Sequence, residues 1–160
     1  MSAMVLIHTA ISLIAIVAGI VVMFRMIGAH SVPPLTGIFL LFTILTNVTG
    51  FFIPPFFYDK FLPSHAIGFL SLVLLAIACF ALYSQHLSGM WRWVYVVTAL
   101  VSLYLNCFVL VIQTFLKVPP LHAIAPGVPP SGPVFGAVQL IVLALFAFMT
   151  FRAVKSFRPA

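Results

Sequence analysis

Between Val5 and Phe24, Leu35 and Ile53, Ser64 and Ser84, Trp93 and Leu116, and Val134 and Phe151 the chain carries no Asp, Glu, Lys or Arg. An uncharged apolar run of about 20 residues is what an α-helix needs to cross the hydrocarbon of a bilayer, where each backbone N–H and C=O must be bonded within its own segment. The runs predict an all-α polytopic membrane protein with transmembrane helices at about 5–25, 35–54, 64–84, 91–117 and 134–152. Together they are expected to form a single helical-bundle domain over residues 1–160. The first run has no basic segment before it and no small-x-small exit, so it is expected to remain as a helix and not to be cleaved as a signal peptide.

Composition excludes the soluble alternatives. Only 5% of the chain is charged and its mean hydropathy is +1.32, whereas a soluble domain carries about a quarter charged residues. The net charge of +6 sets seven Lys and Arg against the lone acid Asp59. These cations sit at the ends of the apolar runs, which suits topology and lipid headgroups and not nucleic acid. Cys79 and Cys107 lie inside apolar runs with no Cys-x-x-Cys spacing and are expected to pack as small buried residues. With no Glu, no acidic pair and no Gly-x-Ser-x-Gly motif, hydrolytic catalysis has no support.

Trp91 to Lys117 organises the rest. At roughly 100° per residue, Tyr95, Thr98, Ser102, Asn106, Gln113 and Lys117 fall on one side of a helix, within an arc of about 100°. That side is expected to face protein, because an unpaired amide in hydrocarbon costs several kcal/mol. Asn106 and Gln113 therefore need partners on neighbouring helices, a ligand or water. Other runs carry matching stripes: His8, Ser12, Ala15 and Gly19 in the first, and Thr36, Thr43, Asn47 and Gly50 in the second. His65 stands in the first turn of the third, which Pro63 and Ser64 open. Pro55 to Pro63 reads as an aromatic interfacial loop holding Asp59 and Lys60. Ala29–Pro34 and Gln85–Met90 read as turns. The prolines and glycines after Lys117 exclude regular helix through most of a connection that contains His122.

Orientation turns these residues into a pattern. With the C-terminus cytoplasmic, Arg25, Arg92, Arg152, Lys155 and Arg158 lie inside and only Lys60 and Lys117 outside, as the positive-inside rule requires. His8, His65, His122, Gln113, Lys117, Gln139 and Asp59 then gather towards the outer face, with Asn47 and Asn106 deeper, while His30 and His86 lie inside.

The candidate site is thus an outer-face set of His8, His65, Asn106, Gln113 and His122. Three chemistries compete for it. His8 and His65 could be axial ligands of haem b, or join His122 on a metal. His65 and Gln113, with nearby aromatics, could hold a quinone. A small transporter is less supported, since no Lys, Arg or Asp lies within a run and no repeat is evident. The bland alternative is a non-enzymatic scaffold or accessory subunit, its polar stripes serving as interhelical hydrogen bonds to specify which helices meet. It would contact the bilayer and a membrane protein partner or a second copy of itself.

The stretch WRWVYVVTALVSLYLNCFVLVIQTFLKVPPLHAIAP, with the earlier TGFFIP and LPSHAIGFLSL, resembles a group of uncharacterised small multi-pass bacterial inner-membrane proteins. After Ala125-Pro126 that group tends to carry a polar, acidic segment where this chain reads GVPPSGP. The resemblance implies a bacterial inner-membrane location and no activity or cofactor.

The orientation is checked by reporter fusions to the C-terminus. A reporter that works only in the periplasm should be inactive there, and its activity would reverse the assignment.

Overall fold

A computed structural model describes residues 3–53 and 63–158; Asp59 and Lys60 lie outside the described residues. All regular structure among the described residues is helical: α1 Ala3–Ile27, α2 Pro33–Gly50, α3 Pro63–Cys79 continued by a π-helical turn Phe80–Ser84, α4 Trp91–Lys117, α5 Pro119–Ile124 and α6 Pro133–Ser156. Five of these segments, all but α5, are long and apolar enough to cross a membrane. The protein is a multi-pass helical membrane protein.

Proline marks the helix starts. α2, α5 and α6 carry it in their first two positions, where the missing N–H would be unpaired anyway and the fixed φ suits a helix. Most of the connection after Lys117 is non-helical, as its prolines and glycines require, and its one short helix, α5, has Pro119 and Pro120 at its start, where proline is tolerated, and not in its interior. Arg25, Lys117 and Lys155 occupy last turns, where a cation complements the helix dipole.

α4 is the axis of the bundle and packs against α1, α2, α3, α5 and α6. Its buried residues Tyr95, Val96, Ala99, Leu100 and Leu103 form one core with Val22, Met26, Phe39 and Leu75. Large apolar side chains such as Val17, Phe69 and Leu140 point outward, each more than 60% exposed, as lipid contact demands. α6 lies on the flank, and only Gln139 and Ala153 along it are buried. Cys79 and Cys107 are free and half-buried.

The small-residue stripe of α1 allows the closest approach. A Cβ added to Gly19 would lie 2.6 Å from Leu103 Cδ1 and 2.8 Å from Phe39 Cδ2, both on fully buried side chains. Absence of a side chain there lets α1, α2 and α4 meet.

The helices place the chain's ends at opposite ends of the bundle. The amino-terminal end gathers the start of α1, the end of α2 and the start of α3, together with the end of α4 and the start of α6. At the carboxy-terminal end are the α1–α2 and α3–α4 loops and the last turn of α6.

Gly19→Ala should destabilise the bundle by about 1–3 kcal/mol through overpacking, and Gly19→Val by more. Gly37→Ala, whose added Cβ meets nothing within 4 Å, is the control and should be neutral or stabilising. Equal unfolding midpoints for the Gly19 and Gly37 variants in detergent would contradict this packing.

Candidate functional site

Eight hydroxyls in the spans bond within their own helix. Thr9, Ser12, Thr43, Thr46, Thr49, Thr98, Ser102 and Thr114 each donate to the carbonyl four residues earlier in the same helix. Tyr95 is fully buried, and its hydroxyl interacts with the Thr36 side chain of α2. The first half of the α4 stripe is therefore buried and satisfied.

Two side-chain pairs tie helices together. Asn47 Nδ2 donates to Ser71 Oγ at 3.0 Å and to Thr43 O at 2.8 Å, which joins α2 to α3. His8 Nδ1 lies 2.8 Å from Thr49 Oγ1, which joins α1 to α2. The Thr49 oxygen is 2.7 Å from Leu45 O, and two oxygens that close must share the hydroxyl proton. Thr49 thus accepts, and Nδ1–H of His8 is the donor. Nε2 of the neutral ring keeps its lone pair.

The remaining predicted site residues are spread over this amino-terminal end. His65 is buried at the start of α3. The His8 ring rests on the second helix, its Cε1 3.4 Å from the Cβ position of Gly50. Lys117 is near enough for its charge to act on His8. His122 is exposed on α5. Among the described residues, no three His, Cys, Asp or Glu side chains gather closely enough to hold a metal ion.

The two amides of α4 behave differently from one another. Asn106 Nδ2 is buried with no hydrogen-bond partner, as is Oε1 of Gln139 on α6, whose Nε2 donates to Phe108 O at 3.2 Å. Gln113 is exposed, as is Lys117, so the protein-facing stripe does not continue to the end of the helix. The reason is length: α4 has 27 residues and α2 only 18, about 40 Å against about 27 Å at 1.5 Å per residue. The helices run parallel with Tyr95 beside Thr36, so the last two turns of α4 project beyond the end of α2.

The opposite end holds a feature that sequence reasoning missed. A cavity of about 160 Å³ lies between the α1–α2 and α3–α4 loops. His30 and Ser31 line it from one loop, His86 and Leu87 from the other, and Thr36, Tyr83, Tyr95 and Phe157 from the helices and the segment after α6. Its rim holds unusual backbone. Ala29, His86 and Leu87 have φ of 60°, 48° and 57°, which cost non-glycine residues energy and recur at functional sites. Ala29 N–H donates to Met26 O and His30 N–H to Arg25 O, a Schellman end to α1 with alanine in the glycine position. The π-helical turn on the other side is a further departure common at functional sites. His30 and His86 are far apart in sequence; the shared end of the bundle that topology gives them was the available signal.

The chain matches no protein-family model, no curated protein and no solved structure.

The bond from Asn47 to Ser71 can be isolated. A double-mutant cycle over Asn47→Ala and Ser71→Ala should give a coupling of about 1 kcal/mol in membrane-mimetic unfolding. Additive effects of the two substitutions would show that the bond does not hold α2 to α3.

Proposed function

We propose that this chain is a non-enzymatic integral membrane protein, a scaffold or accessory subunit, resident in a bacterial inner membrane with its N-terminus periplasmic and its C-terminus cytoplasmic. The observation that carries the reading is the disposition of the intramembrane polar groups. Hydroxyls bond their own helices, and Asn47–Ser71 and His8–Thr49 bond helix to helix, so these side chains specify the bundle. The orientation rests on Arg25, Arg92, Arg152, Lys155 and Arg158 sharing one end of the bundle.

The surface offered to a partner is the projecting end of α4. Gln113 and Lys117 are exposed there, with His122 on the adjoining α5. The partner is a membrane protein or a second copy of this chain, and it would give the Gln113 amide a hydrogen-bonding neighbour at the membrane surface.

One observation favours a second reading, a redox protein binding haem b or a quinone at the same end. With Nδ1–H of His8 engaged by Thr49, Nε2 is left as the atom that could ligate iron or accept from a quinol hydroxyl.

Purification in mild detergent distinguishes them. The accessory reading expects a spectrum without a Soret band and a particle larger than the 17.5 kDa chain by light scattering, corrected for detergent. Gln113→Leu should weaken the association. A Soret band lost in both His8→Ala and His65→Ala would replace this reading with the haem one, and a colourless monomer without a partner would remove the accessory role.

A further inference from the structure

Arg92, in the first turn of α4, and Arg158, just beyond α6, both direct Nη1 at the carbonyl of Phe157, the latter at 3.2 Å. Their charges are close enough to act on each other. Two guanidinium groups brought to one carbonyl repel, with the exposure of Arg158 to solvent screening part of that repulsion, and an anion between them would turn the pair into a favourable arrangement. No Asp or Glu side chain among the described residues supplies it. The chain's one acid, Asp59, falls in sequence between the end of α2 and the start of α3, and both of those helix ends lie at the opposite end of the bundle.

The carbonyl they share belongs to a residue that also walls the cavity. The Phe157 ring is buried, lines the cavity and lies 6.2 Å from the ring of Tyr95 at its floor. The wall combines Val22, Met26 and Leu82 with the polar groups of Thr36 and His86. A space of about 160 Å³ is well below the roughly 300–1,000 Å³ of a pocket for a drug-sized ligand. It suits a small group or the first part of a chain. Arg152 and Lys155, at the same end of the bundle, lie instead over the exposed rings of Phe148 and Phe151 on α6 and do not line the cavity.

We infer that the Arg92–Arg158 pair and the cavity beside it form a binding site for a phosphate group, with the cavity taking the apolar or hydroxylated part attached to it. Guanidinium forks offer paired N–H donors to phosphate oxygens, and each arginine has donors beyond the one spent on Phe157. The phosphate could belong to an anionic lipid of the surrounding leaflet or to a small soluble phosphate compound. This site is independent of the residues proposed to meet a partner at the other end.

The test uses the full chain, delipidated in detergent, with phosphatidylglycerol, phosphatidylcholine and inorganic phosphate as probes, read by native mass spectrometry and by thermal stability. One phosphatidylglycerol should be retained in preference to phosphatidylcholine, and its affinity should fall at least tenfold in Arg158→Gln and in Arg92→Gln. Arg158 lies outside α6, so its replacement probes binding with little demand on folding; Arg92→Lys keeps the charge and should give an intermediate loss. Ser31→Trp, which narrows the cavity, should weaken the lipid more than inorganic phosphate. The double variant Arg152→Gln/Lys155→Gln removes two cations elsewhere at the same end and should change affinity less than twofold. Millimolar inorganic phosphate that displaces the lipid and stabilises the protein alone identifies a soluble phosphate source, whereas lipid retention that phosphate does not disturb identifies a membrane lipid. Equal retention of both lipids without any effect of phosphate, or an equal loss in the Arg152/Lys155 control and in Arg158→Gln, overturns the inference.

Discussion

The bundle depends on the contact at Gly19. In a bilayer the lipid is as apolar as the side chains, so helices are held by close packing and hydrogen bonds and not by exclusion from water. Gly19 lets Leu103 of α4 and Phe39 of α2 reach the backbone of α1, and all three meet in the fully buried centre. Once these three helices are fixed, α3 adds to the remaining side of α2 and α4 through Asn47–Ser71. The sixth helix is then left to cover the flank of α4, where Tyr104 meets Phe146 and Phe115 meets Phe135.

Polar groups divide by role along this frame. The hydroxyls turn back onto their own helices, so a threonine in a membrane span need not signal a site. Asn47 and His8 cross between helices. Asn106 Nδ2 and Gln139 Oε1 stand apart as buried atoms without partners, and such atoms usually call for water or a ligand. The cations concentrate at the other end, beside a cavity and two strained loops. The two ends of the molecule both carry imidazoles but are otherwise chemically distinct: one offers buried amides, the other paired guanidinium groups.

Much of this was legible in the sequence. The limits of α4 fall at Trp91 and Lys117 because the apolar run is uninterrupted and ends at proline, and the all-α membrane architecture follows from charge-free length alone. The close face of α1 could be read from Gly19 recurring with Ala15 and Ser12. Burial of Tyr95, Thr98 and Ser102 followed from helical period, but the exposure of Gln113 did not, because period says nothing about where a neighbouring helix stops. α5 escaped because proline content was weighed without position. The carboxy-terminal cavity could not be seen at all: His30, His86 and Phe157 come from three separate segments, and no spacing rule links loops that only packing brings together.

The unequal lengths of α2 and α4 have a mechanical consequence. A bilayer has a hydrocarbon thickness of about 30 Å, which the shorter helix just fails to fill and the longer one overshoots. The two cannot both be matched by one flat membrane. A mismatch of this kind is accommodated by tilt of α4, by its rise into the headgroups or by thinner lipid beside α2. In the last case the protein would impose a local step in bilayer thickness, and it would sit most comfortably where the membrane already has one.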